Sequence, residues 1–279
     1  MTTKTEIMSN RRLLDGVAYL FCREMGIRRV KIQKPSAEEV NMLLMNGILS
    51  EDLKLVEKSF GYACYEYYRQ LYDPDSFDHL LIAEAKNRRK MLDLCCGGGA
   101  TVFSLLQNEP DIIYGIDSDA HQIGLLEALL HRSEASNKVF TTIADAHHIP
   151  LANHSVDFVV CRVALQYLHV EQVLQEVFRV LSPRGRVFFL VHGSGYILDY
   201  LFARRAILNK KSLKFAIYKL FHLSSKAKEF NRAQANFLTA KDLKEKLAAA
   251  GFRDMKVHTH KEWMKMGVFP VYFAVTAEN

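Results

Sequence analysis

Three aspartates and a run of glycines carry the first chemical signal in this chain. Asp93 lies in the run Lys90-Met-Leu-Asp-Leu-Cys-Cys, which ends in Gly97-Gly98-Gly99. Glycines at that point let backbone N–H groups come close to a ligand. The GxGxxG spacing of a dinucleotide loop fails, because Val102 stands where its third glycine belongs. A phosphate loop would need Gly-Lys-Ser/Thr, which is also absent. A carboxylate four residues before the glycines repels a pyrophosphate and attracts a cation. Asp117 closes the apolar run IIYGID, a position from which an acid accepts hydrogen bonds from ribose hydroxyls in doubly wound folds. Asp145 follows VFTTIA, where it could read an exocyclic amine of adenine. Together the three acids describe a site for a positively charged nucleoside. Taken singly, each would equally serve as a helix cap or a solvated loop carboxylate.

These residues need strands to hold them. KMLDLCC, IIYGID, VFTTIAD, VDFVVCRV and RVFFLVH read as five strands. Between them lie segments with apolar residues at helical spacing, such as ATVFSLLQ, AHQIGLLEALLHRSEA and VEQVLQEVFRVL. The alternation predicts an α/β fold: a doubly wound, mostly parallel sheet with helices on both faces. After an inserted segment come a helix over FLTAKDLKEKLAAAGF, capped by Thr239 and stopped by Gly251, and two closing strands, DMKVHTH and PVYFAVTAEN. Residues 1–88 lack the alternation and read as a helical cap. There Ser36 and Ser50 each resemble a helix N-cap, predicting helices from Ser36 to Lys58, with a turn near Asn46-Gly47. The expected organisation is a cap over 1–88, a core over 89–195 and 231–279, and an inserted basic lid over 196–230.

The ordered motifs resemble those of class I S-adenosylmethionine (SAM)-dependent methyltransferases. LDLCCGGGA is similar to their LDLGCGTG motif, and GIDSDAHQI to their acidic second motif. ADAHHIPLANHSVDFVVCRVALQYL and VFRVLSPRGRVFFL are similar to the segments around their fourth and fifth strands. The resemblance covers Lys90 to His192 and, more loosely, the last strands. It implies a seven-stranded Rossmann-like sheet, SAM as methyl donor, S-adenosylhomocysteine as product and no metal. Position by position it implies that Asp93 holds the methionine amino group through the loop, and that Cys95, Gly97 and Gly99 pass the ligand by their backbone. It implies that Asp117, with Ser118 beside it, takes the ribose; that Gln122 lies near the adenine ring; that Asp145 and Ala146 meet the adenine edge; and that Arg162 lies near the sulfonium. Cys95 departs from the family's first glycine. Gln166-Tyr167 stands where many relatives have His-His, so the familiar histidine base is missing there.

A hydroxyl acceptor would then need another base. His192, at the end of the fifth strand, is the first candidate, followed by Tyr167 and His169. The aromatic stretch from Phe60 to Phe77 supplies Tyr67, Tyr68 and Tyr72 as acceptor-binding candidates, against the plainer reading of a helix packed on the core. Cys95 and Cys96 read as small packing residues, and His258 and His260 as groove packing rather than metal ligands.

The chain has 279 residues, 24% of them charged, and a net charge of +6. No run reaches the roughly 18 apolar residues of a membrane helix. Five cysteines without a spacing framework fit a reduced protein, and a cytoplasmic location is expected. Arg204, Arg205, Lys210, Lys211, Lys214, Lys219, Lys226 and Lys228 fall between residues 201 and 228, which contain no acid. That segment reads as a lid or a clamp for an anionic acceptor, ahead of a membrane-surface helix or a nucleic-acid contact. The expected function is methyl transfer to an oxygen, carboxylate or hydroxyl, of a small molecule or short peptide in specialised metabolism, in a monomer or a homodimer exchanging its N-terminal helices. The same core would suit an N- or C-methyltransferase, an RNA or protein methyltransferase, or a non-catalytic subunit.

Overall fold

The computed structural model describes residues 3–27, 31–133, 135–199, 238–265 and 267–279. The basic segment 201–228, and with it the expected lid beyond residue 199, lies outside the described residues. The first helices each start at a side-chain cap. Thr3 and Glu6 form a capping box for α1 (Lys4–Ser9), and Asn10 accepts from two amides at the start of α2 (Arg11–Met25). Ser36 and Glu39 form the box for α3 (Ala37–Met45), as its sequence predicts. The second predicted cap does not start a helix. Ser50 donates to Asp52 (2.5 Å) and accepts from the Lys54 amide, and Leu53 takes a positive φ of 57°. Residues 50–57 therefore form a tight turn, fixed by local side-chain to backbone bonds that compete with helix formation. The turn buries Leu49 and Leu55.

Helices α4 (Lys58–Tyr72) and α5 (Ser76–Glu84) meet at a short turn, where Asp75 caps α5. α2 and α4 share a core of Leu14, Val17, Phe21, Phe60 and Tyr67 that extends to Ala100 and Leu129. α5 sinks Phe77, Leu81 and Ala85 among Met91, Phe158 and Phe188.

The sheet contains β1 (Lys90–Leu94), β2 (Ile112–Asp117), β3 (Val139–Ile143), β4 (Val156–Arg162), β5 (Leu181–His192), β6 (Arg253–His258) and β9 (Tyr272–Glu278). Its order is β3-β2-β1-β4-β5-β9-β6. The first five strands run parallel, and β9 is antiparallel to both β5 and β6. Met91, Leu92, Val159, Val160, Phe188 and Phe189 are fully buried, so the central strands read as apolar runs because helices cover both faces. α6 (Ala100–Leu105), α7 (Ala120–Leu130) and α8 (Val170–Val180) fill the crossovers. α8 turns Val170, Val173, Leu174, Val177 and Val180 inward at three- and four-residue spacing. α9 (Gly195–Leu198) follows β5, and α10 (Ala240–Ala249) starts at the Thr239–Asp242 capping box and is followed by Gly251, as predicted. A small hairpin, β7 (Met264–Lys265) and β8 (Phe269–Pro270), precedes β9. The strand order reverses between β1 and β4. That is where open α/β sheets bind ligands, beyond the carboxyl ends of their strands.

Candidate functional site

The loop after β1 is held in shape by the end of β2. The Cys96 amide donates to the Ile116 carbonyl (3.0 Å) and the Gly97 amide to Asp117 Oδ2 (2.9 Å). Asp117 Oδ1 accepts from the Asp119 amide (2.9 Å), and Asp119 caps α7. Gly99 takes a φ of 89°, and a Cβ there would lie 2.3 Å from Leu126, so only glycine lets α6 start against α7. A Cβ on Gly98 would meet Ala63, Gln122 and Leu125 at 3.3 Å each, which puts α4 and the first turn of α7 directly on the loop. Cys95 holds a φ of 61°. Its thiol is pushed far above the ordinary range by the neighbouring Cys161 thiol and by burial, and burial does the same to Cys96. Both are packing residues, as the sequence suggests.

Asp93 is 1% exposed, and its Oδ2 meets no donor among the described residues. Burial pushes its pKa up to about 7; Arg162 opposes this and Asp117 adds to it. Ser118 and Asp145 are exposed at the strand ends, Gln122 is half-buried and Ala146 is buried. Asp145 Oδ1 accepts from the His147 amide (3.0 Å) and contacts His147 Nδ1 (2.5 Å), which keeps its carboxyl below the usual range. His147 Nε2 in turn accepts from the His169 amide (3.0 Å). His169 thus belongs to the Asp145 corner.

Arg162 is committed to its own protein. Its Nη2 lies 2.7 Å from Asp78 Oδ1, and its Nη1 donates to Gln70 Oε1 (3.3 Å). Arg69 reaches the other Asp78 oxygen (2.6 Å) and Glu66 Oε2 (2.9 Å), and Gln70 also binds Glu66 Oε2 (2.8 Å). Thr101 donates to Gln70 (3.0 Å). This network of α4, α5, α6 and β4 lies behind the glycine loop. Glu66 is the one acid within α4, a signal in the sequence that the motif reading passed over.

His192 ends β5 beneath a set of rings. It stacks on Tyr196 at 3.7 Å and 11°, with Tyr272 at 5.5 Å and Tyr167 edge-on at 6.2 Å. Its Nδ1 lies 3.4 Å from Gln166 Nε2, and Gln166 also donates to the Val163 carbonyl (2.8 Å). The structure thus brings His192 and Tyr167 together. It does not bring Tyr68 or Tyr72 to them. The Tyr68 hydroxyl donates to the Lys31 carbonyl (2.9 Å), and Arg11 covers the rings of Tyr68 (5.4 Å) and Tyr72 (3.7 Å). Tyr67 is buried against Phe103. Tyr62 and Tyr65 pack on Phe21 of α2, and both phenols are pushed up, Tyr62 mainly by Glu66 and Tyr65 mainly by burial.

Residues 92–189 match the family model described as a methyltransferase domain. Over that stretch the chain is similar to class I SAM-dependent methyltransferases, which the relatives and the fold support. An uncharacterised methyltransferase of Mycobacterium bovis is 34% identical over 46% of this chain and 50% of its own length. A demethylmenaquinone methyltransferase of Lactobacillus johnsonii is 26% identical over 59% of this chain and 68% of its own. The chain thus spans about half the length of the first curated relatives it matches. A crystal structure of an S-adenosylmethionine-dependent methyltransferase from Mesorhizobium loti shares the fold at a TM-score of 0.53, covering 74% of this chain and 99% of that one at 17% identity. The residues fit the methyltransferase donor. The buried Asp93 Oδ2 meets no donor among the described residues and could take a cationic group of that donor. Among the described residues, no three metal-ligating side chains gather, and no helix is long and apolar enough to cross a membrane.

Proposed function

We propose that this methyltransferase moves the methyl group of SAM to a hydroxyl oxygen of a small planar molecule. SAM supplies an electrophilic methyl on a positively charged sulfur. Asp93 would hold the amino group, and Asp117 the ribose side, of a ligand laid over the glycine loop. The chain's work is to align the acceptor and keep out water, which is worth up to roughly 7–11 kcal/mol of the barrier. The observation that carries the acceptor side is the placement of His192 against Tyr196 at the carboxyl end of β5, one strand from the Arg162 end of β4. There an imidazole can take the acceptor's hydroxyl proton as the oxygen bonds the methyl carbon. A relative named for demethylmenaquinone fits a ring-shaped acceptor lying on such tyrosines.

The expectation of an anionic acceptor rests on residues 201–228, outside the described residues. The described residues around His192 instead offer the phenols of Tyr167, Tyr196 and Tyr272, which suit a ring-borne hydroxyl. Calorimetry with SAM, followed by methyl transfer to hydroxylated aromatic compounds, tests the reading. His192→Gln is expected to lower kcat by about 10²–10⁴-fold and to remove one limb of the pH profile. SAM binding with full turnover in His192→Gln would overturn the base assignment, and no SAM binding at all would overturn the reading.

A further inference from the structure

The seven-stranded sheet ends in two unlike edges. β6, at one end, is guarded. Its Arg253, Asp254 and Lys256 are exposed charges, its pairing with β9 shifts register between Arg253 and Lys256, and Asp254 takes a positive φ of 50°. Charges and bulges are the devices that keep other strands off a sheet edge. β3, at the other end, has neither. Its sequence, Val139-Phe-Thr-Thr-Ile143, holds no charge, glycine or proline, and every residue but Phe140 is β-branched. It pairs with β2 without a register shift. Phe140 is 53% exposed and Ile143 57%. Two bonds fix which backbone groups face outward. The Ile113 amide donates to the Lys138 carbonyl (2.8 Å), and the Ala144 amide to the Asp117 carbonyl (3.0 Å). Residues that bond a neighbouring strand alternate with residues that do not. Lys138, Phe140, Thr142 and Ala144 therefore serve β2, and the amides and carbonyls of Val139, Thr141 and Ile143 point away from the sheet. Among the described residues, no turn or loop bonds them.

We propose that β3 pairs antiparallel with β3 of a second copy of this chain, about a two-fold axis through Thr141, to make one continuous sheet across a homodimer. With the axis there, Thr141 faces Thr141 and Val139 faces Ile143 on either side, so every outward group finds a partner. Any other register leaves some of them open. The pairing is also matched in charge. Lys138 precedes the strand and Asp145 follows it by two residues. Antiparallel pairing sets the basic end of one copy against the acidic end of the other, whereas parallel pairing would set like ends together. Phe140 of each copy lies opposite Thr142 of the other and within reach of the other Phe140, which covers rings that a single chain leaves exposed. α7 leaves room for the second copy: Glu127 accepts from the Thr141 hydroxyl (2.6 Å), and on the same face of the helix stands Gly124, where a Cβ would meet nothing within 4 Å. The cost of the arrangement is Glu127 itself, whose carboxylate Thr141 brings close to the axis in both copies.

Sedimentation equilibrium of the whole chain tests this. Two five-residue strands make a small interface, so the dimer should be reversible, with a dissociation constant of roughly 1–100 μM. Phe140→Lys sets two ammonium groups beside the axis and should weaken the dimer at least about tenfold. The ring it removes is half exposed, and circular dichroism checks that the variant is folded. Glu127→Gln keeps an acceptor oxygen for Thr141 while removing both charges near the axis, and it should tighten the dimer by about threefold or more. An interface elsewhere, such as one built by exchange of the N-terminal helices, would respond to neither change. A chain that stays monomeric at about 500 μM, or a dimer whose constant moves by less than about twofold in folded Phe140→Lys, would overturn the proposal. An unchanged or weaker dimer in Glu127→Gln would overturn the placement of the axis at Thr141.

Discussion

Arg162 and Asp78 form a buried ion pair at 2.7 Å that ties the end of β4 to α5, with side chains only 7% and 4% exposed. Asp78 also takes Arg69, and burial, which would raise its carboxyl, is outweighed by the two guanidinium groups that hold it well below the usual range. The pair fixes the N-terminal helices over the SAM loop. Because its charge is already matched, Arg162 would not repel a cationic donor bound nearby.

Arg162→Met should therefore destabilise the fold by roughly 3–5 kcal/mol, because it leaves Asp78 buried with one cation fewer. Adding Asp78→Leu should recover part of that loss, since a hydrophobic pair avoids the desolvation cost. Urea titration of the single and double variants measures both. The folded-state pKa of Asp78 is depressed, so its stabilisation is full above the unfolded carboxylate range and is lost as pH falls through and below about 4. Asp78→Asn should flatten that acid limb.

Asp117 shapes the loop before any ligand arrives, with one oxygen on Gly97 and the other on Asp119. Asp117→Ala should weaken SAM binding by about 10- to 100-fold, the size of a lost charge-assisted hydrogen bond of about 1.5–3 kcal/mol. Calorimetry reads the affinity. Asp117→Asn, which keeps one acceptor oxygen, should lie between the two.

Asp93 should make SAM binding depend on pH. Its carboxyl titrates at about 7 in the free protein, and a cation against Oδ2 favours the ionised form. Affinity should rise about tenfold per pH unit up to pH 7 and level off above it. Asp93→Asn should bind weakly and without that slope. The same raised pKa favours the protonated folded state, so the free protein should lose stability as pH climbs from about 4 to 7, with no further loss from this group above. Thermal denaturation with and without SAM separates the two effects.

The sheet, its glycine loop and the three strand-end acids were legible because each follows from a local rule. Apolar runs mark doubly covered strands, and glycines mark a sharp turn between Leu94 and Ala100. The acceptor wall was not legible. His192 and Tyr196 lie far from Trp263 and Tyr272 in sequence, and the two pairs meet only because β9 pairs with β5. Tyr68 and Tyr72 look the same as Tyr62 and Tyr65 in sequence. The helical rotation that sets one pair against Arg11 and the other against Phe21, at opposite ends of α2, depends on where α4 docks. Ser50 shows the converse limit: a good cap residue builds a turn when Asp52 and Lys54 offer its hydroxyl closer partners.

Cys95 offers a last test, one that concerns the backbone alone. It occupies a left-handed φ of 61° where the family's motif has glycine. That conformation costs a residue with a Cβ about 1–2 kcal/mol, while glycine adopts it freely at the expense of a more flexible unfolded chain. The Cys95 thiol packs beside Cys161, so some contact is lost on its removal. Cys95→Gly should on balance stabilise the protein by up to about 1 kcal/mol and leave SAM affinity within twofold, whereas Cys95→Val should lose more than 1 kcal/mol, because a β-branched side chain is worst suited to positive φ. Denaturant midpoints of the two variants against the unaltered chain measure the strain, and a stabilised Cys95→Val would show that the loop relaxes out of the left-handed region.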